Sequence, residues 1–181
     1  LDEKDKDVEV IETEYPLIHS SNTRPYHFIH GYAMFLEDIL GVKIPVTEFK
    51  GDIHLSDIEK AWMSQTQELG VFQDFWILLS GGKYDYTAKW WNPLEYQKVV
   101  DHFKDKVLFV QCGQADHFHP SLKGVVNMIG KTDPRQFIRL MYHASGVVCP
   151  VTWAMHLAAA VETKRNMPIN RACVVIAGGR E

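Results

Sequence analysis

From residue 75 onward the sequence predicts an α/β fold in which a parallel sheet carries helices on both faces. Three observations lead there. Short, unbroken apolar runs recur at residues 75–79, 107–112, 125–129, 147–150 and 172–177. Strands buried on both faces read in this way, without polar alternation. Amphipathic segments with helix-start chemistry separate several of these runs, which is the pattern of strands joined by crossover helices. Glycine and hydroxyl residues follow the strands, where such sheets place their ligand loops.

Taken in order, residues 8–19 hold a short apolar stretch from Val8 to Ile18, broken by Pro16. Ser21 to Pro25 should open a helix that runs to Leu40. Ile29, Tyr32, Ala33, Leu36, Ile39 and Leu40 form its apolar face, and Gly41 stops it. Residues 42–55 read as a connector. Ser56-Asp57-Ile58-Glu59 is a capping box, predicting a helix that ends near Gly70. The run at 75–79 is the first buried strand, turned by Ser80-Gly81-Gly82. Asn92-Pro93-Leu94-Glu95 gives a cap, a first-turn proline and a glutamate at the third helical position. That helix should reach about Lys104, with Leu94, Val99, Val100 and Phe103 inward. Strands at 107–112 and 125–129 follow. Asp133-Pro134-Arg135-Gln136 repeats the capping logic and opens a helix with Phe137, Ile138, Leu140, Met141 and Ala144 inward, closed by Gly146. A strand then runs into the helix beginning near Thr152, and residues 172–177 make the last strand. The chain ends just after that strand, which reads as a piece of a longer protein.

Composition narrows the function classes. With 181 residues, 46% hydrophobic and 23% charged, the chain can build one domain and a small appendage. Its formal net charge is −4 and no basic stripe is present, so nucleic acid is not an expected partner. No apolar run approaches the ~20 residues of a membrane span. The charged start, Leu1 to Asp7, does not read as a signal peptide. These features predict a soluble, cytoplasmic protein with at most peripheral contact at the inner membrane face. Cys112, Cys149 and Cys173 are odd in number and widely spaced, so buried free thiols are expected rather than disulfides or zinc.

Chemistry concentrates after the strands. Thr152 can cap the helix that follows the strand at 147–150, and His156 stands one turn further on the same face. An uncompensated helix N-terminus carries roughly +0.5 of a charge and unpaired N–H groups, which suits a phosphate. Ser80, Gly81 and Gly82 would allow close backbone approach to a ligand, although a plain turn explains them too. Lys89, beside Trp90 and Trp91, could reach a diphosphate or simply be solvated. Asp116-His117-Phe118-His119 offers two histidines next to a carboxylate, but no third cluster completes a metal site, so no metal is expected. Gln114 or Asp116, at the end of the second strand, could accept hydrogen bonds from ribose hydroxyls.

The order of these pieces resembles the carboxyl-terminal half of glycosyltransferase family 9, the ADP-heptose lipopolysaccharide heptosyltransferases. The resemblance rests on Lys89-Trp90, Pro93, Gly113, Gly130-Lys131-Thr132 and above all Met155-His156-Leu157-Ala158-Ala159-Ala160. It covers roughly residues 52–181. It implies a GT-B fold with two Rossmann-like domains. Residues 1–50 would be a remnant of the first domain and the crossing, and residues 51–181 the nucleotide-sugar-binding domain, incomplete at its end.

The resemblance also implies site roles. Lys89 and Thr152 would hold the donor diphosphate with the Ser80-Gly81-Gly82 turn, His156 would support that site, and Gln114, Asp116 and Gly130 would lie at the ribose and nucleoside. No metal or other cofactor is implied. A nucleotide-sugar donor, ADP-linked by preference, and a glycan or glycolipid acceptor would be the partners, with the catalytic base in the first domain. Where the family reads Asp-Ser-Gly this chain has Val151-Thr152-Trp153. The hydroxyl is kept, the carboxylate is not, and Trp153 stands beside the sugar position, which leaves the sugar open. Two alternatives remain: a non-catalytic nucleotide- or sugar-binding module, and a GT-B-like sugar-nucleotide epimerase.

Overall fold

The computed structural model describes residues 9–13, 27–84 and 87–177. Most of the Val8–Ile18 stretch, the segment from Ser21 to Pro25 and Gly178 to Glu181 lie outside them. The chain forms two compact units, Leu1–Phe49 and Lys50–Glu181.

The first unit contains helix α1 (Phe28–Leu40). His27 caps its start through Nδ1, and Gly41, in the left-handed region at φ 64°, ends it by donating its N–H to the Glu37 carbonyl. Glu37 also ties down the exit by accepting from the Ile44 N–H at 2.8 Å. The expected apolar face is only partly realised within this unit: Tyr32, Ile39 and Leu40 are exposed.

The second unit begins with α2 (Asp57–Ala61) and α3 (Gln65–Glu68). One helix to Gly70 was expected here, and the chain instead breaks at Trp62, which is extended. The reason is a second capping box at Ser64 and Gln67 that restarts the helix. Then come β1 (Phe75–Leu78), a 3₁₀ turn at Thr87–Lys89, α4 (Pro93–His102), β2 (Leu108–Gln111), β3 (Val126–Asn127), α5 (Pro134–His143), β4 (Gly146–Pro150), α6 (Trp153–Ala160) and β5 (Ala172–Ile176). The five strands are parallel, in the order β3-β2-β1-β4-β5. The chain therefore reverses its direction of travel between β1 and β4, and a crevice opens at their carboxyl ends.

Side-chain alternation splits the core into two layers. Phe75, Ile77 and Leu79, with Val110, Cys112, Val147 and Cys149, face α5 and α6. Leu78, Phe109 and Val148 face the other way, onto Tyr96 and Val100 of α4. Helices thus cover both faces, as the sequence predicts. The inward face of α4 differs from expectation. Tyr96 is fully buried, whereas Leu94 is 69% exposed and Phe103 is 39% exposed. Gly146 does not close α5 but opens β4; the Trp76 indole lies where a β-carbon at 146 would stand, so only glycine fits. Cys112 and Cys149 are buried free thiols, while Cys173 is exposed on β5.

One buried cation holds the far end of α6. Arg171 is 9% exposed and spreads its guanidinium over four carbonyls: Ala144 (3.0 Å), Ala158 (2.9 Å), Val161 (2.9 Å) and Glu162 (3.0 Å). Burial pulls its pKa down to about 10, so the guanidinium stays charged at neutral pH.

Candidate functional site

A cavity of about 750 Å³ lies at the carboxyl ends of β1, β2 and β4. That is the crevice the strand order creates, and its size suits a ligand of several linked groups. The loop after β1 contributes Gly81, Gly82, Lys83, Lys89 and Trp90, and the loop after β2 contributes Gly113, Gln114, His117 and His119. The entry to α5 brings Thr132, Asp133 and Phe137, and the entry to α6 brings Thr152, Trp153 and Ala154.

A pair of backbone hydrogen bonds joins the first two loops. Gly82 N–H donates to the Phe118 carbonyl and Phe118 N–H donates to the Gly82 carbonyl, both at 3.0 Å. A β-carbon on Gly81 would overlap that same Phe118 carbonyl oxygen. Gly81 is therefore required by the approach of one loop to the other. Trp90 stacks on Phe118 with ring centroids 4.2 Å apart, and Tyr84 meets both edge-on.

Of the helices described, α1 to α5 each have a side chain accepting a hydrogen bond at the start. In α5 the Asp133 carboxylate fills that role, accepting from Gln136 N–H at 2.8 Å. Helix α6 has no side-chain cap, and it opens at the cavity. The sequence expectation that Thr152 caps α6 is thus corrected. Thr152 occupies the cap position, but its Oγ1 is buried without a conventional partner, beside the Cys149 thiol. The positive end of α6 is left to the backbone amides of its first turn.

The remaining predicted residues divide. Gly82, Lys89, Gln114 and Trp153 line the cavity with Gly81 and Thr152. Trp153 is half exposed, its ring 5.7 Å from that of Phe137. Ser80 is fully buried behind the wall: its Oγ donates to the Pro120 carbonyl at 3.3 Å and accepts from Gln111 Nε2 at 2.8 Å. Gly130 sits outside the lining, its N–H donating to the Gly113 carbonyl at 2.8 Å, and its neighbour Thr132 reaches the cavity instead. Asp116 and His156 are exposed and are not among the lining residues. Trp90, Phe137, His117 and His119 were not assigned to the ligand from sequence. For the histidines a signal existed in their two-residue spacing.

His119 lies against Gly113, with Nδ1 buried and unpartnered. Burial, and then the neighbouring His117, push its pKa down to about 4. Among the described residues, no group of three or more His, Cys, Asp or Glu side chains could hold a metal ion. No helix among them is long and apolar enough to cross a membrane.

The sequence signature of "Glycosyltransferase family 9 (heptosyltransferase)" matches residues 16–165. The chain belongs to this family. Solved structures agree on the fold. The ADP-heptose LPS heptosyltransferase II of E. coli superposes with a TM-score of 0.54 at 19% identity, over 74% of this chain and 47% of that one. A family 9 glycosyl transferase from Veillonella parvula DSM 2008 gives 0.59 at 16% identity, over 85% of this chain and 49% of that one. The chain thus spans about half the length of these family 9 structures. No curated protein matches the chain. The likeness shows the Rossmann-like, GT-B-type fold expected from the sequence.

Proposed function

We propose that this chain is the donor-binding part of a glycosyltransferase that moves a sugar from a nucleoside diphosphate sugar to a glycan or glycolipid acceptor. The observation that carries the reading is the uncapped start of α6, opening on a cavity that Lys89 and Lys83 also line. Helix amides and ammonium groups converging on one space suit a diphosphate, whose charge they would neutralise as it leaves. Family membership and the fold support transfer as the reaction class.

Within this reading the diphosphate lies against the first amides of α6 and Lys89, with the backbone of Gly81 and Gly82 at its side. Gln114 and Thr132 face the ribose and nucleoside. Trp153 and Phe137 form an apolar wall at the sugar, where a ring's C–H face can stack. The family resemblance favours an ADP-linked donor. In this reading the catalytic base and the acceptor surface belong to the first domain that the family resemblance implies.

Calorimetric titration with nucleoside diphosphates tests this. Lys89→Ala should weaken binding about tenfold, the loss of one charge-assisted contact. Thr152→Ala should have a much smaller effect, because the hydroxyl is turned inward and the amides carry the contact. Absence of affinity for any nucleoside diphosphate would refute the assignment.

A further inference from the structure

The Asp116-His117-Phe118-His119 segment makes no metal site, yet the fold aims two of its members at the cavity. The reciprocal hydrogen bonds between Gly82 and Phe118 form an antiparallel bridge, which makes the backbone locally extended. Side chains then alternate. Phe118 turns to stack on Trp90, and His117 and His119 both line the cavity, their ring centroids 6.1 Å apart. Across the bridge, Lys83 and Lys89 line the same wall. Among the described residues, the carboxylate that lines the cavity is Asp133, which caps α5. Asp116, on the same loop, is exposed and does not line the cavity. Among the described residues, the groups that share the cavity wall with His119 are therefore His117, the Gly113 backbone, Lys83, Lys89, Asp133 and the first turn of α6.

The geometry points to His117 and His119 as a proton-accepting clamp on the anionic ligand, so that binding of the donor diphosphate takes up a proton. The inference rests on the nucleotide reading above and adds a pH dependence to it. The protein alone disfavours the imidazolium: His119 is desolvated, its Nδ1 has no partner, and His117 stands beside it. A diphosphate reverses each of these conditions. It supplies negative charge and hydrogen-bond acceptors at a poorly solvated wall, where charge–charge interaction is strong. The bound state should then hold more protons than the free state below neutrality, and affinity must rise as pH falls.

The test is calorimetry of the protein with ADP-glucose and UDP-glucose, probes whose pyrophosphate has no ionisation near neutrality. Titrations at pH 5.5, 6.5 and 7.5, each in two buffers of different protonation enthalpy, read the affinity and the number of protons taken up. Affinity should improve by up to about tenfold from pH 7.5 to 5.5, with uptake of up to about one proton. His119→Gln should remove most of both effects, and His117→Gln should reduce them, each with an unchanged circular dichroism spectrum. If His119→Gln fails to fold, His117→Gln together with the wild-type proton count still decides the matter. Binding without proton uptake, or uptake unchanged in both variants, overturns the clamp and leaves the nucleotide reading standing. Absence of binding by either probe at every pH, with nucleoside diphosphates equally inert, overturns both.

Discussion

Arg171 offers the sharpest test of how the fold positions its site. Its guanidinium is buried among four carbonyl oxygens, three of them at residues 158, 161 and 162, around the carboxyl end of α6. Hydrogen bonds from a charged donor contribute about 1.5–3 kcal/mol each in favourable cases, but desolvation of the cation offsets much of that sum. The fall in its pKa from 12.5 to about 10 corresponds to a net disfavouring of the charged form by roughly 3 kcal/mol. Replacing Arg171 by Met removes that penalty and leaves up to four buried acceptors short of a donor. At about 1–3 kcal/mol for each acceptor truly stranded, and with some rescued by water, a net loss of about 3–5 kcal/mol is expected. Arg171→Lys should fall between, near 2 kcal/mol, because a single ammonium cannot span four carbonyls on a planar fork. Urea unfolding followed by circular dichroism checks this, with an unchanged m-value confirming that stability alone has moved. A loss below about 1 kcal/mol in Arg171→Met would refute the reasoning, since the carbonyls would then be satisfied without the guanidinium.

Two further outcomes follow from buried contacts. Gly81→Ala drives a β-carbon into the Phe118 carbonyl, a backbone atom that cannot rotate away, and should cost about 2–3 kcal/mol and loosen the loop bridge; an unchanged thermal midpoint would count against it. His143 is 6% exposed and its pKa is pushed down to about 4, first by burial and then by Lys164 and Arg139. The unfolded chain, with histidine near 6.5, therefore binds this proton first as pH falls. The stability it contributes is complete above 6.5 and declines toward 4, with about 2 kcal/mol gone by pH 5. Comparing urea midpoints at pH 7 and 5 in the parent and in His143→Gln measures this, and equal pH slopes in the two proteins would contradict it.

Local chemistry was legible in the sequence, and long-range contacts were not. Asn92-Pro93, Asp133-Pro134 and Ser56 cap helices where expected because a cap needs only its own next three residues. The break at Trp62 was legible in principle, since Ser64-Gln65-Thr66-Gln67 has the same capping-box form as Ser56 to Glu59. Gly146 resembled a helix stop, yet its true constraint comes from Trp76, seventy residues earlier on the neighbouring strand. Ser80 looked free to meet a ligand until Gln111, at the end of β2, and Pro120, in the loop after it, engaged it. The region of the site was readable because it follows from strand ends. Which atoms face the cavity was not, because that depends on partners far away in sequence.

The two ends of α6 explain why the start of this helix suits an anion. A helix in which both ends are neutralised by its own protein has little field left for a ligand. Here the carboxyl end is held by the Arg171 guanidinium, which complements the negative end of the dipole and fixes the helix axially. The amino end is left open, because Thr152 turns its hydroxyl inward beside Cys149 rather than back onto the first amides. A threonine cap would have satisfied one of those amides and weakened the site by the amount it stabilised the helix, about 1 kcal/mol. Stability is thus supplied at the carboxyl end, and the end that opens on the cavity is left without a side-chain cap. It follows that Arg171→Lys should lower nucleoside diphosphate affinity although residue 171 does not line the cavity, whereas Thr152→Ala, which does, should scarcely change it. The reverse ranking would place the binding energy in the threonine hydroxyl rather than in the position of the helix.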